Sequence, residues 1–236
     1  MENRTYVETF DDGPGGWVGW SHGLSGLETR PGVVISRHPW WTDANHAPPG
    51  GGYLHLLFAL YPTGRRESGD GSLNRFVDGG YPSDFTNARM TLRLRGELET
   101  KGTNLVLLAQ AEVGDRMLNH VLVAQPFEVT PEWTEQTITL APDPGQWLCL
   151  GSRHDRMDFR VREHDVVYGW GDIGDVLSDI NTDIILVLHP VDVVPAGPID
   201  QDRHYLYAGK DYEADASRLP SGYVELDEVR IEFAGD

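Results

Sequence analysis

Along much of the chain apolar and polar residues alternate with a period of two. The clearest case is Asn87–Gly96, where Arg89, Arg93 and Arg95 share one side and Met90, Leu92 and Leu94 the other. That spacing predicts an antiparallel strand with one solvated face. Arg4–Phe10, Trp133–Leu140 and Tyr223–Phe233 read as further strands, and Arg203–Ala208 as a shorter one. Val33-Val34-Ile35, Tyr53–Leu60 and Asp183–Leu188 are unbroken apolar runs of strand length, fit for buried strands. Asn104–Glu112 and Arg116–Gln125 predict a hairpin turning at Gly114-Asp115. Ile173–Ile180 supplies the one helical candidate, and it is short. Pro62–Gly80 is polar and glycine-rich, which predicts an exposed, mobile loop; Pro190–Asp202, with its prolines, is another long connection. About ten strands separated by turn signals, without repeat or composition break, predict an all-β antiparallel sandwich with long loops, a single domain over residues 1–236.

Composition narrows the partners. The 236 residues are 39% hydrophobic with seven tryptophans, enough to bury a sizeable core. A net charge of −18 repels nucleic acid and anionic membrane surfaces, so neither is expected, and it also disfavours polyanionic glycans. Most of that acidity is expected on solvated faces. Cys149 stands alone, which excludes an internal disulfide and leaves a small apolar side chain as its simplest role. No basic-then-apolar leader opens the chain and no run reaches transmembrane length, so the expected location is cytoplasmic, or secreted if an export segment has been removed.

The densest chemistry lies between His38 and His55, HPWWTDANHAPPGGGYLH, where rings and polar tips are crowded into one loop. Neutral sugars are gripped by aromatic faces together with amide, carboxylate and guanidinium groups. Trp40, Trp41, Asp43, Asn45 and His46 supply both kinds of group, with Trp20 and Gln125 as candidate neighbours. The alternative is that one tryptophan of the pair plugs the core, since Trp is heavily buried on average. A second cluster, Gly151–Asp158, has Arg153 and Arg156 flanking His154-Asp155. It suits an oxygen-rich ligand or the anchoring of a general base, or equally a loop locked by its own ion pairs. His55, His120 and His189 interrupt apolar runs and are more simply satisfied strand residues than catalysts; no HExxH-type spacing fixes a metal on the histidines.

Three separated pieces resemble the galactose-binding-like jelly-roll superfamily. They are Phe10-Asp11-Asp12-Gly13 followed by Gly16-Trp17, the Trp-led alternating run Thr130–Leu140, and the closing strand Tyr223–Ile231. The chain is longer than a typical module of that superfamily, with the excess around 38–52 and 149–170. The resemblance implies a jelly roll whose first and last strands are neighbours, and a carbohydrate ligand. It also implies a structural calcium at Asp11 and Asp227, with backbone carbonyls and Asp12 or Glu8 completing an oxygen shell; an ordinary Asx turn explains Asp11-Asp12-Gly13 equally well. Tyr205–Lys210 resembles the strand of jelly-roll polysaccharide lyases that carries a catalytic tyrosine. On that likeness His120 as base and Tyr207 as acid would form a β-elimination site with an arginine to neutralise a uronate, and His154 of the second cluster is a further catalytic candidate. The expected function is carbohydrate recognition, and the rival is a glycan-active enzyme, a lyase or glycoside hydrolase. Oligomeric state is left open.

Overall fold

In the computed structural model, residues 5–21, 26–43, 53–63, 74–151, 160–161, 166–194, 196–197, 205–206, 208–213, 215 and 217–235 are described. The first strands in chain order are β1 (Thr5–Glu8), β2 (Glu28–Arg30), β3 (Val33–Arg37), β4 (Thr42–Asp43) and β5 (Tyr53–Leu60). A short helix, α1 (Arg75–Asp78), leads to β6 (Arg89–Glu99), β7 (Asn104–Val113), β8 (Arg116–Leu122) and β9 (Thr134–Thr139). Then follow β10 (Trp147–Cys149), β11 (Arg160–Val161), β12 (Val166–Gly169), helix α2 (Ile173–Ser178), β13 (Asp183–Val191), β14 (Tyr205–Leu206) and β15 (Ser221–Glu232).

These strands make two sheets. The six-stranded sheet runs β2-β3-β15-β6-β9, with β1 also paired to β15. The nine-stranded sheet runs β11-β12-β8-β7-β13-β5-β4-β14, with β10 also on β8. Every pairing is antiparallel except β12 with β8, which is parallel. The expected all-β sandwich is therefore what the chain forms, and its first and last strands do lie side by side, Thr5 opposite Glu232 through Glu8 opposite Val229.

Between the sheets lies one apolar layer. Met90, Leu92, Leu94, Leu226, Val229 and Ile231 face Phe58, Leu60, Leu107, Leu118, Leu186 and Leu188 across it. The arginines of β6 fall on the opposite side, as the alternation requires. The nine-stranded sheet differs in being apolar on both faces. On the side turned away from the core, Leu54, Leu56, Ala59, Val106, Leu108, Val121, Ile185 and Val187 form a second buried cluster. Strands covered on both sides read as continuous apolar runs, which is why β5, β7 and β13 lack alternation.

The polar stretch before β6 holds more structure than its composition predicts. Asn74 caps α1, its Oδ1 accepting the N–H groups of Phe76 and Val77 at 3.1 and 3.2 Å. Phe76 is wholly buried, with its ring 5.1 Å from Tyr6 and 5.9 Å from Phe85. One good cap and one buried ring suffice for a single turn.

Candidate functional site

Adjacent residues of an extended chain point to opposite sides, and this separates Trp40 from Trp41. Trp40 is buried in the layer between the sheets, its Nε1 donating to Ser36 Oγ at 2.9 Å. Its ring lies 6.0 Å from His55 and 6.1 Å from His38. It takes the core role, so it is not part of a sugar platform. Trp41 instead packs, half-buried, on the outer cluster of the nine-stranded sheet. Its N–H donates to the Trp20 carbonyl at 3.2 Å, and its own carbonyl accepts from Leu56 at 3.3 Å. Trp20 belongs to the same outer cluster, and Asp43, paired with Leu54, follows Trp41 by two residues on the same side.

The outer face of that sheet carries a polar row at one register. Asp183 stands opposite Gln110, and Gln110 opposite Asn119. Gln110 Nε2 donates to Asn119 Oδ1 at 2.6 Å. Neighbouring registers are apolar: Ile185 opposite Leu108 and Leu108 opposite Val121, then Val187 opposite Val106. Three hydrogen-bonding side chains thus stand side by side in this apolar layer, themselves buried (Asp183 6%, Gln110 4% and Asn119 0% exposed), with Trp20 and the half-buried Trp41 at the margin of the layer. Buried amides and carboxylates are costly unless partnered, and Gln110 and Asn119 partner each other.

Sequence reasoning missed Gln110, Asn119 and Asp183. The signal was available: each is a polar residue inside or at the head of an apolar strand, LVLLAQAEV, RMLNHVL and DIILVLHPV.

Other expected residues lie elsewhere. Gln125 does not join the face: its amide bonds the backbone of Thr139 and Gln146 Oε1, tying the end of β8 to β9. His120 shares the core side of β8 with Leu118 and Leu122, opposite Ala109. Burial holds its pKa below the usual histidine value, so the ring is neutral. Its Nε2, 3.2 Å from the Gly171 carbonyl, must then carry the proton and donate, and Nδ1 is left without a hydrogen-bond partner. Pointing inward, it cannot serve as a base on the outer face. His38 Nδ1 accepts the Gly222 N–H at 2.9 Å. His55 is wholly buried beside Thr42 Oγ1 (3.1 Å), which lies 2.9 Å from Tyr212 Oη. Asn45, His46, Arg153, His154, Arg156 and Tyr207 lie outside the described residues.

The acids at the chain ends meet arginines. Asp227 pairs with Arg93, although burial pushes its carboxyl up and leaves Oδ1 without a hydrogen-bond partner. Asp11 is exposed and accepts from Thr9 Oγ1 at 2.8 Å. Glu8, buried on the core side, pairs with Arg75, whose Nη2 also donates to the Asp12 carbonyl at 2.7 Å. A guanidinium thus bridges the Glu8 carboxylate, one of the groups that the resemblance offered to a cation shell, and the Asp12 carbonyl. Among the described residues no group of three or more His, Cys, Asp or Glu is placed to hold a metal ion, and no helix is long and apolar enough to cross a membrane.

No family model matches the chain, and no curated protein does. Among solved structures, the L4b domain of human laminin alpha-2 aligns over 98% of this chain and 98% of that one, at 10% identity and a TM-score of 0.41. A likeness at that level bears on no residue of the site.

Proposed function

We propose that this β-sandwich recognises a carbohydrate on the outer face of its nine-stranded sheet. The observation that supports the reading is Trp41, half-buried and packed with Trp20 on that face, in the same layer that holds the buried polar row Asp183–Gln110–Asn119. Carboxylate and amide groups match sugar hydroxyls, and the apolar floor with its indoles matches the C–H faces of the rings. The charge of −18 points to a neutral glycan over a uronate polymer.

The test is a glycan array, followed by titration of whichever neutral oligosaccharide binds, with the intact protein and with Trp41→Ala. Trp41 is only half-buried, so the variant folds, and its affinity falls by about tenfold, or 1.4 kcal/mol. An array on which the intact protein captures no glycan refutes the reading. Equal affinity of the two proteins moves the site off this face. Repeating the titration in calcium and in chelator tests the cation that Asp11 and Asp227 were expected to share.

A further inference from the structure

Trp170 is 56% exposed, the one aromatic ring among the exposed large hydrophobics of the described residues. Its ring is not loose. A Cβ added at Gly151 would come within 2.2 Å of Trp170 Cε2, 2.4 Å of Cζ2 and 2.5 Å of Cδ2. Cε2 and Cδ2 are ring-fusion atoms, with every in-plane direction already bonded, so so close an approach to both comes from above the plane. One face of the indole therefore lies flat on the Gly151 backbone, which is buried and whose φ of +61° favours glycine. The exposure of the residue belongs to the other face and the rim.

The segment that carries the ring is fastened at successive residues. Arg116 Nη1 donates to the Trp170 carbonyl at 3.2 Å, and His120 to the Gly171 carbonyl at 3.2 Å. Asp172 caps α2 by accepting the Gly174 N–H at 2.7 Å. Trp170 comes one residue after the Gly169–Leu118 pairing, which sets it level with Asn119. Gly151 follows Leu150, whose N–H donates to the Asn119 carbonyl at 2.9 Å. The ring thus sits where the row Asp183–Gln110–Asn119 ends.

We propose that Trp170 is a stacking platform for one pyranose ring of an uncharged glycan, with the Arg116 guanidinium beside it as donor to the ring's hydroxyls. This rests on the carbohydrate reading of the adjoining face and extends it to a named subsite. A supported, pre-positioned ring loses little freedom on binding, which is what distinguishes a platform from a surface residue. The negative face of the indole attracts the slightly positive C–H groups of a pyranose, while the acidic chain repels an anionic sugar.

The experiment titrates the intact protein, Trp170→Ala, Trp170→Phe, Gly151→Ala and Trp41→Ala with neutral oligosaccharides of glucose, galactose, mannose and xylose, following affinity and tryptophan emission. Trp170→Ala is expected to lower affinity by about tenfold and to abolish the blue shift on binding, with the unfolding midpoint unchanged. Trp170→Phe, which keeps a flat ring, recovers most of the affinity. Gly151→Ala, whose methyl displaces the indole, behaves like Trp170→Ala. If Trp170→Ala binds as the intact protein does while Trp41→Ala is weakened, the platform is refuted and the carbohydrate reading stands. If the intact protein binds none of these sugars, both fall. Self-association that Trp170→Ala abolishes, without any sugar binding, makes the ring a protein contact and overturns the proposal.

Discussion

His55 shows what burial does to one ring. Enclosed in the core, it has its pKa pushed down from 6.5 to about 4, chiefly by desolvation and against the opposing pull of the Trp41 carbonyl. The unfolded chain therefore binds a proton between these values and the folded chain does not. Stability is full above pH 6.5 and drains as pH falls toward 4, by roughly 3 kcal/mol at 1.36 kcal/mol per unit. His120, lowered for the same reason, adds to the slope. Denaturant midpoints measured from pH 7.5 to pH 4 should fall for the native protein and fall less for His55→Gln. An equal slope in both would show that the ring titrates freely. Sequence marked His55 as an interruption of an apolar run, yet only the three-dimensional surroundings, Thr42 and Tyr212 among them, say why it is tolerated.

At the level of elements, α1 owes its place to an ion pair as much as to its cap. Glu8 is 1% exposed, Arg75 stands on the helix, and the guanidinium also reaches the Asp12 carbonyl. Gly15 is part of the same joint, since a Cβ there would sit 1.9 Å from Glu8 Oε2. Removing Arg75 strands a buried carboxylate; with the arginine itself partly exposed, Arg75→Met should cost about 2 kcal/mol, below the range for a fully buried pair. Adding Glu8→Gln should restore part of that loss. A double-mutant cycle by urea unfolding gives the coupling, and simple additivity would mean that the pair does not matter to the fold. None of this was visible in the chain, because sixty-odd positions separate the partners and a four-residue helix has no period to detect. The long strands were legible for the opposite reason: β5 begins at Tyr53 and ends at Leu60, as its apolar run predicts. Two- and three-residue strands such as β2 and β4 leave no pattern, whereas β14 falls inside the strand predicted over Arg203–Ala208.

Over the whole molecule, charge and layering act together. A charge of −18 opposes compaction, and arginine–acid pairs such as Arg95–Glu225 and Arg30–Glu225 offset only part of it. The screening length shrinks from about 30 Å at 0.01 M to about 10 Å at 0.1 M salt, so self-repulsion fades before close pairs do. The melting temperature should therefore rise over that interval; a fall would mean that the ion pairs dominate. Layering also explains which part of the site was readable. One solvated face made strands such as β1 and β6 of the six-stranded sheet alternate, whereas the doubly covered sheet concealed which of its residues look outward, and Gln110 and Asn119 with them. The split of the two adjacent tryptophans has a mechanical meaning for any guest that touches the second of them. Trp40 is clamped by the interior, and Trp41 hangs from it by one planar peptide link that barely bends. The backbone that carries the outer indole is consequently anchored by the core, so a substitution that shifts Trp40 would carry the Trp41 backbone with it.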